Sequence, residues 1–384
     1  MTTVERDLPT DEAHDLLALV REIGEQRLAP QVDEFEEKGA FPREMFREIG
    51  AAGLLSLPYP EEFGGGAQPY TVYLQVLEEL SASWGAVGLG ASVHTLSCYP
   101  VAQFGSPEQR ERWLPGMLSG DLLGAYCLSE PTSGSDAAAL RTKAVLSQDG
   151  AQYSVTGTKA WITHGGAADF YNLMVRTADT GPHGISCLLA DADTPGMSAG
   201  TPERKMGYRS SQTSQVLLDG AQVDVDRRIG AEGQGFTIAL SALDSGRLGI
   251  AACAVGIAQA AFEAATAYAK ERRQFGQRII DFQGLSFMLA DMTTQISAAR
   301  ELYLAAARRR DAGQSFSVQA AMAKLFATDT CMKVTTDAVQ VLGGAGYVRD
   351  FPLERWFREA KVLQIVEGTN QVQRLVIGRH LAKH

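Results

Sequence analysis

One acid in this chain stands where a catalytic base would. Residues 361–378, KVLQIVEGTNQVQRLVIG, hold Glu367 between an apolar run (Val362, Leu363, Ile365, Val366) and a Gly-Thr-Asn turn. A carboxylate approached over apolar surface is partly desolvated, so its pKa and its basicity rise. Gly368 permits a backbone turn closed to most residues. Thr369 or Asn370 is suited to cap a following helix with Val372, Leu375 and Val376 as its apolar stripe. Taken alone, the segment reads more simply as a helix-capping loop with a solvated glutamate. Two other stretches carry polar chemistry. YCLSEPTSGSD (126–136) leaves a β-prone run for a turn rich in N–H and hydroxyl groups, suited to a polar ring edge or a phosphate, or to any hairpin loop. WITHGG (161–166) sets a tryptophan beside a glycine turn, which in isolation reads as core.

The elements that must position these residues change period twice. Residues 1–121 read as helical. Leu16, Leu19, Val20 and Ile23 share helical spacing before Pro30 interrupts, Pro42 opens a second helix, and Ser106-Pro107-Glu108 forms an N-cap with an N1 proline. Residues 122–231 read as short strands, with Asp149-Gly150 and Asp219-Gly220 as hairpin turns, which predicts a compact antiparallel sheet or barrel. From residue 232 to 384 long Ala/Leu/Met-faced helices return with short connections, the pattern of a four-helix bundle whose alanine-rich faces also allow packing between subunits. The fold class expected is therefore mixed α and β, mainly α, in three domains: 1–121, 122–231 and 232–384.

Composition narrows the function. The formal net charge is −10, which argues against nucleic acid or an anionic membrane surface as the main partner. No run of eighteen apolar residues is present, so no transmembrane helix is expected. The acidic, polar N-terminus resembles neither a signal nor a transit peptide. Five scattered cysteines without a CxxC read as reduced thiols of a cytoplasmic protein, and six histidines without ligand spacing indicate no metal site.

In this order the motifs strongly resemble the acyl-CoA dehydrogenase family. The matching pieces are YCLSEPTSGSD, WITHGG, ALDSGR (242–247), ERRQFGQ (271–277), QVLGGAGY (340–347) and IVEGTNQVQR (365–374), in family order across nearly the whole chain. The resemblance implies a helical N-terminal domain, a middle β-barrel domain and a C-terminal four-helix bundle, assembled as a homotetramer with one FAD per subunit. No GxGxxG follows a strand, so a dinucleotide-binding turn does not account for the flavin.

Carried over by position, the resemblance implies that Tyr126, Leu128 and Ser129 line the flavin ring, that Trp161 covers its face, that Ile162 contacts the cofactor, and that Thr163 bonds its N5 region. Arg272, Gln274 and Phe275 hold the pyrophosphate and adenosine part of a neighbouring subunit's FAD, for which the planar fork of arginine is apt. Gln340, Gly343 and Gly344 pass close to the cofactor, where a Cβ would collide, and Thr369 and Gln371 also reach it. Ser135, Asp244 and Arg247 match contacts to the CoA portion, and Gly368 lies beside the thioester. An ion pair of Arg247 with Asp244 within the helix is the other reading of that pair. Glu367 is the base that removes the α-proton, with its own backbone N–H stabilising the thioester oxygen.

Some branches of the family carry the base just before the arginine of ALDSGR. That position is Gly246 here, so no rival carboxylate exists. Where many relatives have an aromatic before the glutamate, this chain has Val366. The reaction implied is α,β-dehydrogenation of a short- or medium-chain acyl-CoA to the trans-2-enoyl-CoA, with electron-transferring flavoprotein as acceptor. The alternatives are an acyl-CoA oxidase using O2, or a flavin- or CoA-binding scaffold without turnover. The acyl pocket is expected to include the helix around residues 89–99, with Gly90 and Ser92 leaving space.

Overall fold

The computed structural model describes residue 4 and residues 6–382. Helix α1 (Asp11–Ile23) is capped by Thr10 and runs through a π-turn (Gly24–Leu28) and a 3-10 turn (Ala29–Gln31) into α2 (Val32–Lys38). Pro30 therefore does not end the helical path. It sits in the first turn of the 3-10 segment, where an N–H is dispensable. Then follow α3 (Arg43–Ala51), α4 (Tyr70–Ser83), α5 (Gly85–Phe104) and α6 (Pro107–Leu118). Ser106 caps α6 reciprocally with Gln109: its hydroxyl accepts from the Gln109 N–H, and the Gln109 side chain accepts from the Ser106 N–H.

The middle sheet comprises β1 (Gly124–Cys127), β2 (Lys143–Leu146), β3 (Gln152–Thr163), β4 (Phe170–Arg176), β5 (Ile185–Asp191), β6 (Met197–Ala199), β7 (Thr213–Asp224) and β8 (Arg228–Ile229). Their order is β6-β7-β3-β2-β4-β5-β8, with β1 beside β4. Most pairs are antiparallel, but β1–β4 and β2–β4 are parallel. The sheet is therefore mixed rather than wholly antiparallel. Long connections flank β1, and only such connections permit parallel pairing.

Both Asp-Gly dipeptides behave differently from the two-residue hairpins expected. Asp149-Gly150 lies in a longer loop closed by the Ser147 N–H donating to the Gln152 carbonyl, where the Asp149 carboxylate accepts from the Ala151 N–H at 3.1 Å. Asp219-Gly220 lies inside β7. There Val155 pairs with Ala221 and Gly157 with Leu218, so two residues oppose Thr156 alone. That is a β-bulge, and Gly220 supplies its left-handed φ of 64°.

The C-terminal helices are α7 (Gly235–Glu271), α8 (Gln283–Asp311), α9 (Ser317–Leu342), α10 (Gly344–Tyr347), α11 (Leu353–Leu363) and α12 (Asn370–Leu381), with a small hairpin of β9 (Arg273–Gln274) and β10 (Gln277–Arg278) after α7. Helix α7 is the axis of the molecule and packs against α4, α5, α8, α9 and α11. Its small residues allow this: Ala251, Ala254, Ala261 and Ala265 are all fully buried. By length and composition alone it could cross a membrane. Yet 78% of its most apolar stretch is buried inside the protein, so it is a core helix. A buried ionic cluster ties α4 to α8, where Glu78 accepts from Arg300 at 2.8 Å and from the Tyr303 hydroxyl at 2.5 Å.

Candidate active site

After α11 ends, the backbone takes two consecutive left-handed residues, Glu367 (φ 51°) and Gly368 (φ 86°), before Thr369 caps α12 by accepting from the Val372 N–H at 3.3 Å. Glycine adopts this geometry freely; a glutamate there costs about 1 to 2 kcal/mol. Surrounding bonds hold it. Gln373 Nε2 donates to the carbonyls of Gly368 (2.8 Å) and Glu367 (3.3 Å). Lys324 Nζ on α9 donates to the Gly368 carbonyl at 3.0 Å. Buried Asn370 donates to Asp329 at 2.7 Å and to the Thr328 hydroxyl at 2.9 Å. A strained residue so firmly held points to function. The α12 stripe differs from expectation: Leu375 is 50% exposed, while the buried positions are the polar Asn370 and Gln373.

The Glu367 carboxylate lies against α7. A Cβ at Gly246 would sit 1.9 Å from its Oε2 and 2.8 Å from its Cδ. Both oxygens are shielded from solvent and lack a hydrogen-bond partner. Burial pushes the carboxyl up to about 7, against the opposing pull of Lys324 and then Arg247. A general base works best near the operating pH, and a carboxyl raised in this way suits that role. The shielding does not come from Ile365, which is 52% exposed. It comes from α7 and from Val362 and Val366 packed on the core.

A narrow cavity of about 10 Å³, room for roughly one water, adjoins Gly246. Tyr59, Tyr70, Tyr73, Ser92, Leu96 and Tyr99 wall it. Tyr70 donates to the Ser245 carbonyl at 3.0 Å and Tyr59 to the Thr95 carbonyl at 2.5 Å, so the aromatic walls are pinned. Ser92 lines this space as expected. Gly90 does not: a Cβ there would lie 2.4 Å from the Phe46 ring, so it serves packing between helices.

The remaining candidates fall into groups. Arg247 and Asp244 form the intrahelical ion pair at 2.6 Å, with the Ser317 hydroxyl donating to the same carboxylate at 2.8 Å. Ser135 is exposed on the loop after β1. Tyr126 and Leu128 are buried, and the Ser129 carbonyl accepts from the Ala160 N–H at 2.9 Å, which brings the β1 exit against β3. Lys159 fixes the same junction from beneath, with its Nζ 2.9 Å from Glu130 and 3.3 Å from the Leu128 carbonyl. Trp161, at a register shift in β3 and with φ 55°, is 59% exposed rather than core. Ile162 turns into the sheet core, and Thr163 ends the strand. The Tyr126 hydroxyl is buried without a partner.

Arg272, Gln274 and Phe275 stand apart. Arg272 is 26 residues beyond Gly246 on and past α7, about 39 Å at the helical rise. All three are exposed, Phe275 at 94%. Gln340, Gly343 and Gly344, exposed at the end of α9, lie at that same end of the bundle, where Tyr268 and Phe351 meet edge-on at 5.9 Å. Among the described residues a Cβ at Gly343 or Gly344 meets nothing within 4 Å, so none of them supplies the expected collision. Gln371 is exposed in the first turn of α12.

Three adjoining family patterns cover the chain: the acyl-CoA dehydrogenase N-terminal domain over residues 10–121, the middle domain over 125–221 and the C-terminal domain over 233–382. The chain belongs to the acyl-CoA dehydrogenase family. It is an oxidoreductase acting on the CH–CH group of an acyl-CoA, in a family that uses FAD and serves fatty acid metabolism. An acyl-CoA dehydrogenase of Bacillus subtilis (strain 168) is 44% identical over 97% of this chain and 98% of its own. Butyryl-CoA dehydrogenase from Megasphaera elsdenii superposes with a TM-score of 0.96 at 41% identity, covering 99% of this chain and all of that one. A chain in the structure described as the electron transferring flavoprotein of Acidaminococcus fermentans matches equally, with a TM-score of 0.96, 41% identity and coverage of 99% and 100%.

In this acyl-CoA dehydrogenase, sequence reasoning missed Lys324 and the tyrosine walls. A lysine among apolar residues on a helix was a readable signal for the first. Tyr70 and Tyr73, three residues apart on a helix otherwise rich in aliphatics, were one for the second.

Proposed function

We propose that this chain converts a short-chain acyl-CoA to its trans-2-enoyl-CoA, with Glu367 as the base that takes the α-proton. The observation that carries the reading is the shielded Glu367 carboxylate, unpartnered among the described residues, lying against Gly246, which also lines the small tyrosine-walled cavity. A thioester α-proton is weakly acidic, so the charge arriving on the carbonyl oxygen needs donors. The Glu367 N–H makes no hydrogen bond among the described residues and is available for this role. One such donor is worth about 3 kcal/mol. The tyrosine walls exclude water and leave little depth for acyl carbons, which favours a short chain; the likeness to a butyryl-CoA dehydrogenase supports the same choice.

The residues present fit FAD. The Tyr126 hydroxyl is an orphaned polar group, the exposed Trp161 offers an aromatic face, and the backbone at Gly343–Gly344 is open to close approach. FAD, when bound, supplies the acceptor for the β-hydride. Tyr126, Leu128, Ser129, Trp161, Ile162 and Thr163 would hold its ring, with Thr369 and Gln371 nearby. Arg272, Gln274, Phe275, Gln340, Gly343 and Gly344, too distant to serve their own subunit's base, would hold the rest of it from an adjoining subunit of a homotetramer. Ser135, Asp244, Arg247 and Gly368 would contact the CoA thioester. Electron-transferring flavoprotein is the acceptor we assign, on the likeness to a chain in that flavoprotein's structure, and the cytoplasm is the compartment we assign, after the bacterial relatives.

The test is Glu367→Gln. It is expected to keep the yellow flavin absorbance and to lose turnover of butyryl-CoA by about 10³-fold, within the range of a lost general base. Turnover near the wild-type rate would reject Glu367 as the base. Peroxide formation in air without any added acceptor would instead favour an oxidase.

A further inference from the structure

Beneath the turn that carries the base lies an ammonium group with no role so far. Lys324 is fully buried on α9, yet its Nζ makes no ion pair within 4.0 Å among the described residues. It donates instead to the Gly368 carbonyl at 3.0 Å and to Asn370 Oδ1 at 2.9 Å, groups one and three residues after Glu367. Burying a cation without a contacting anion is costly. A merely structural brace for two carbonyl-type acceptors would be served as well by a neutral amide. The charge itself therefore calls for an explanation.

We propose that Lys324 is a positioning residue for the base: it clamps the left-handed Glu367–Gly368 turn through two hydrogen bonds, and its charge opposes protonation of the Glu367 carboxylate. This rests on the reading of Glu367 as the base. The groups facing Glu367 support it. From α4, β1 and α7 come Tyr70, Tyr73, Tyr126 and Cys253, each driven by burial into its neutral form. Arg247 is charged but already engaged by Asp244 at 2.6 Å. Lys324 is the cation with the larger hold on Glu367. Reciprocally, burial pulls Lys324 down to about 7, and Glu367 is the first group opposing that fall, ahead of Asp329. Each partner thus opposes the loss of charge that burial imposes on the other. The arrangement favours the ionised form of the base in a dry site without a contact that would have to break before proton transfer.

The experiment uses the FAD-loaded enzyme and the pH profile of kcat/KM with butyryl-CoA. Lys324→Met is expected to keep flavin and to move the acidic limb upward by about one pH unit, the scale of losing one nearby opposite charge. Lys324→Arg, which retains the charge, is expected to restore the limb. Lys324→Gln keeps a donor for Gly368 without charge, and its limb is expected to move as in the Met variant. A limb unmoved in both neutral variants, whatever their kcat, would overturn the proposal. Loss of flavin in both would assign Lys324 a structural role and overturn it equally. Glu367→Gln, run alongside, separates the two readings: if it stays active the base is misassigned, whereas if it is dead and the limb does not move, Lys324 alone is misassigned.

Discussion

Replacing Gly246 by alanine is the sharpest probe of the site, because one methyl group is aimed at one oxygen. The added Cβ falls 1.9 Å from Glu367 Oε2, whereas ordinary contact begins at 3.4 Å, so the oxygen must retreat by the difference of about 1.5 Å. A misplacement of about 1 Å in a catalytic group costs about 10²-fold in rate. The expected result is a fall in kcat of at least about 100-fold. Stability should change little, since alanine gains about 1 kcal/mol over glycine inside a helix and partly offsets the crowding. Steady-state turnover of butyryl-CoA with an artificial acceptor measures the first quantity. Flavin absorbance and Tm check that the fold is intact. A Gly246→Ala enzyme with kcat/KM within threefold of wild type would show that the carboxylate does not need its place over α7.

Two further outcomes follow from the same geometry. Tyr73→Ala opens the chamber floor, and the hexanoyl-to-butyryl ratio of kcat/KM should rise at least about tenfold, at a stability cost of about 3 to 5 kcal/mol; an unchanged ratio would move the chain-length limit elsewhere. Because the folded Glu367 carboxyl sits at about 7 against an ordinary 4.5, its own contribution to stability is full below about 4.5 and is lost as pH rises through about 7, by about 3 kcal/mol in all. Melting of Glu367→Gln beside wild type should therefore show the variant gaining at pH 8 and not at pH 4.5, and an equal gap at both would contradict a buried ionisation.

The element order was legible because each region keeps one hydrophobic period over many residues, and Ser106-Pro107 marked a helix start that the reciprocal cap bears out. Asp149-Gly150 lies in the β2–β3 hairpin as expected, in a longer loop, whereas Asp219-Gly220 was misread because a bulge and a hairpin demand the same left-handed residue. Glu367 could be singled out from its apolar flank, but the source of its shielding could not. Ile365 is exposed, and the cover arrives from Gly246, distant by 121 positions in the chain. Likewise the small Gly90 signalled space where Phe46 already fills it. Periodicity reports which face of a helix is buried, not what lies opposite.

The long α7 helix has a consequence for how such an enzyme can diversify. Its glycines meet the proposed base Glu367 at Gly246, the cavity residue Ser92 through Gly249, and the backbone of α4 at Glu78 through Gly256. All three stations are bare backbone, so at these points α7 sets the spacing without a side chain of its own. New acyl preferences must then be written on the opposing walls, in α4 and α5, where Tyr73 and Leu96 can be exchanged while the spacing between proton acceptor and chamber stays as it was. Selectivity and proton chemistry are thereby free to drift independently.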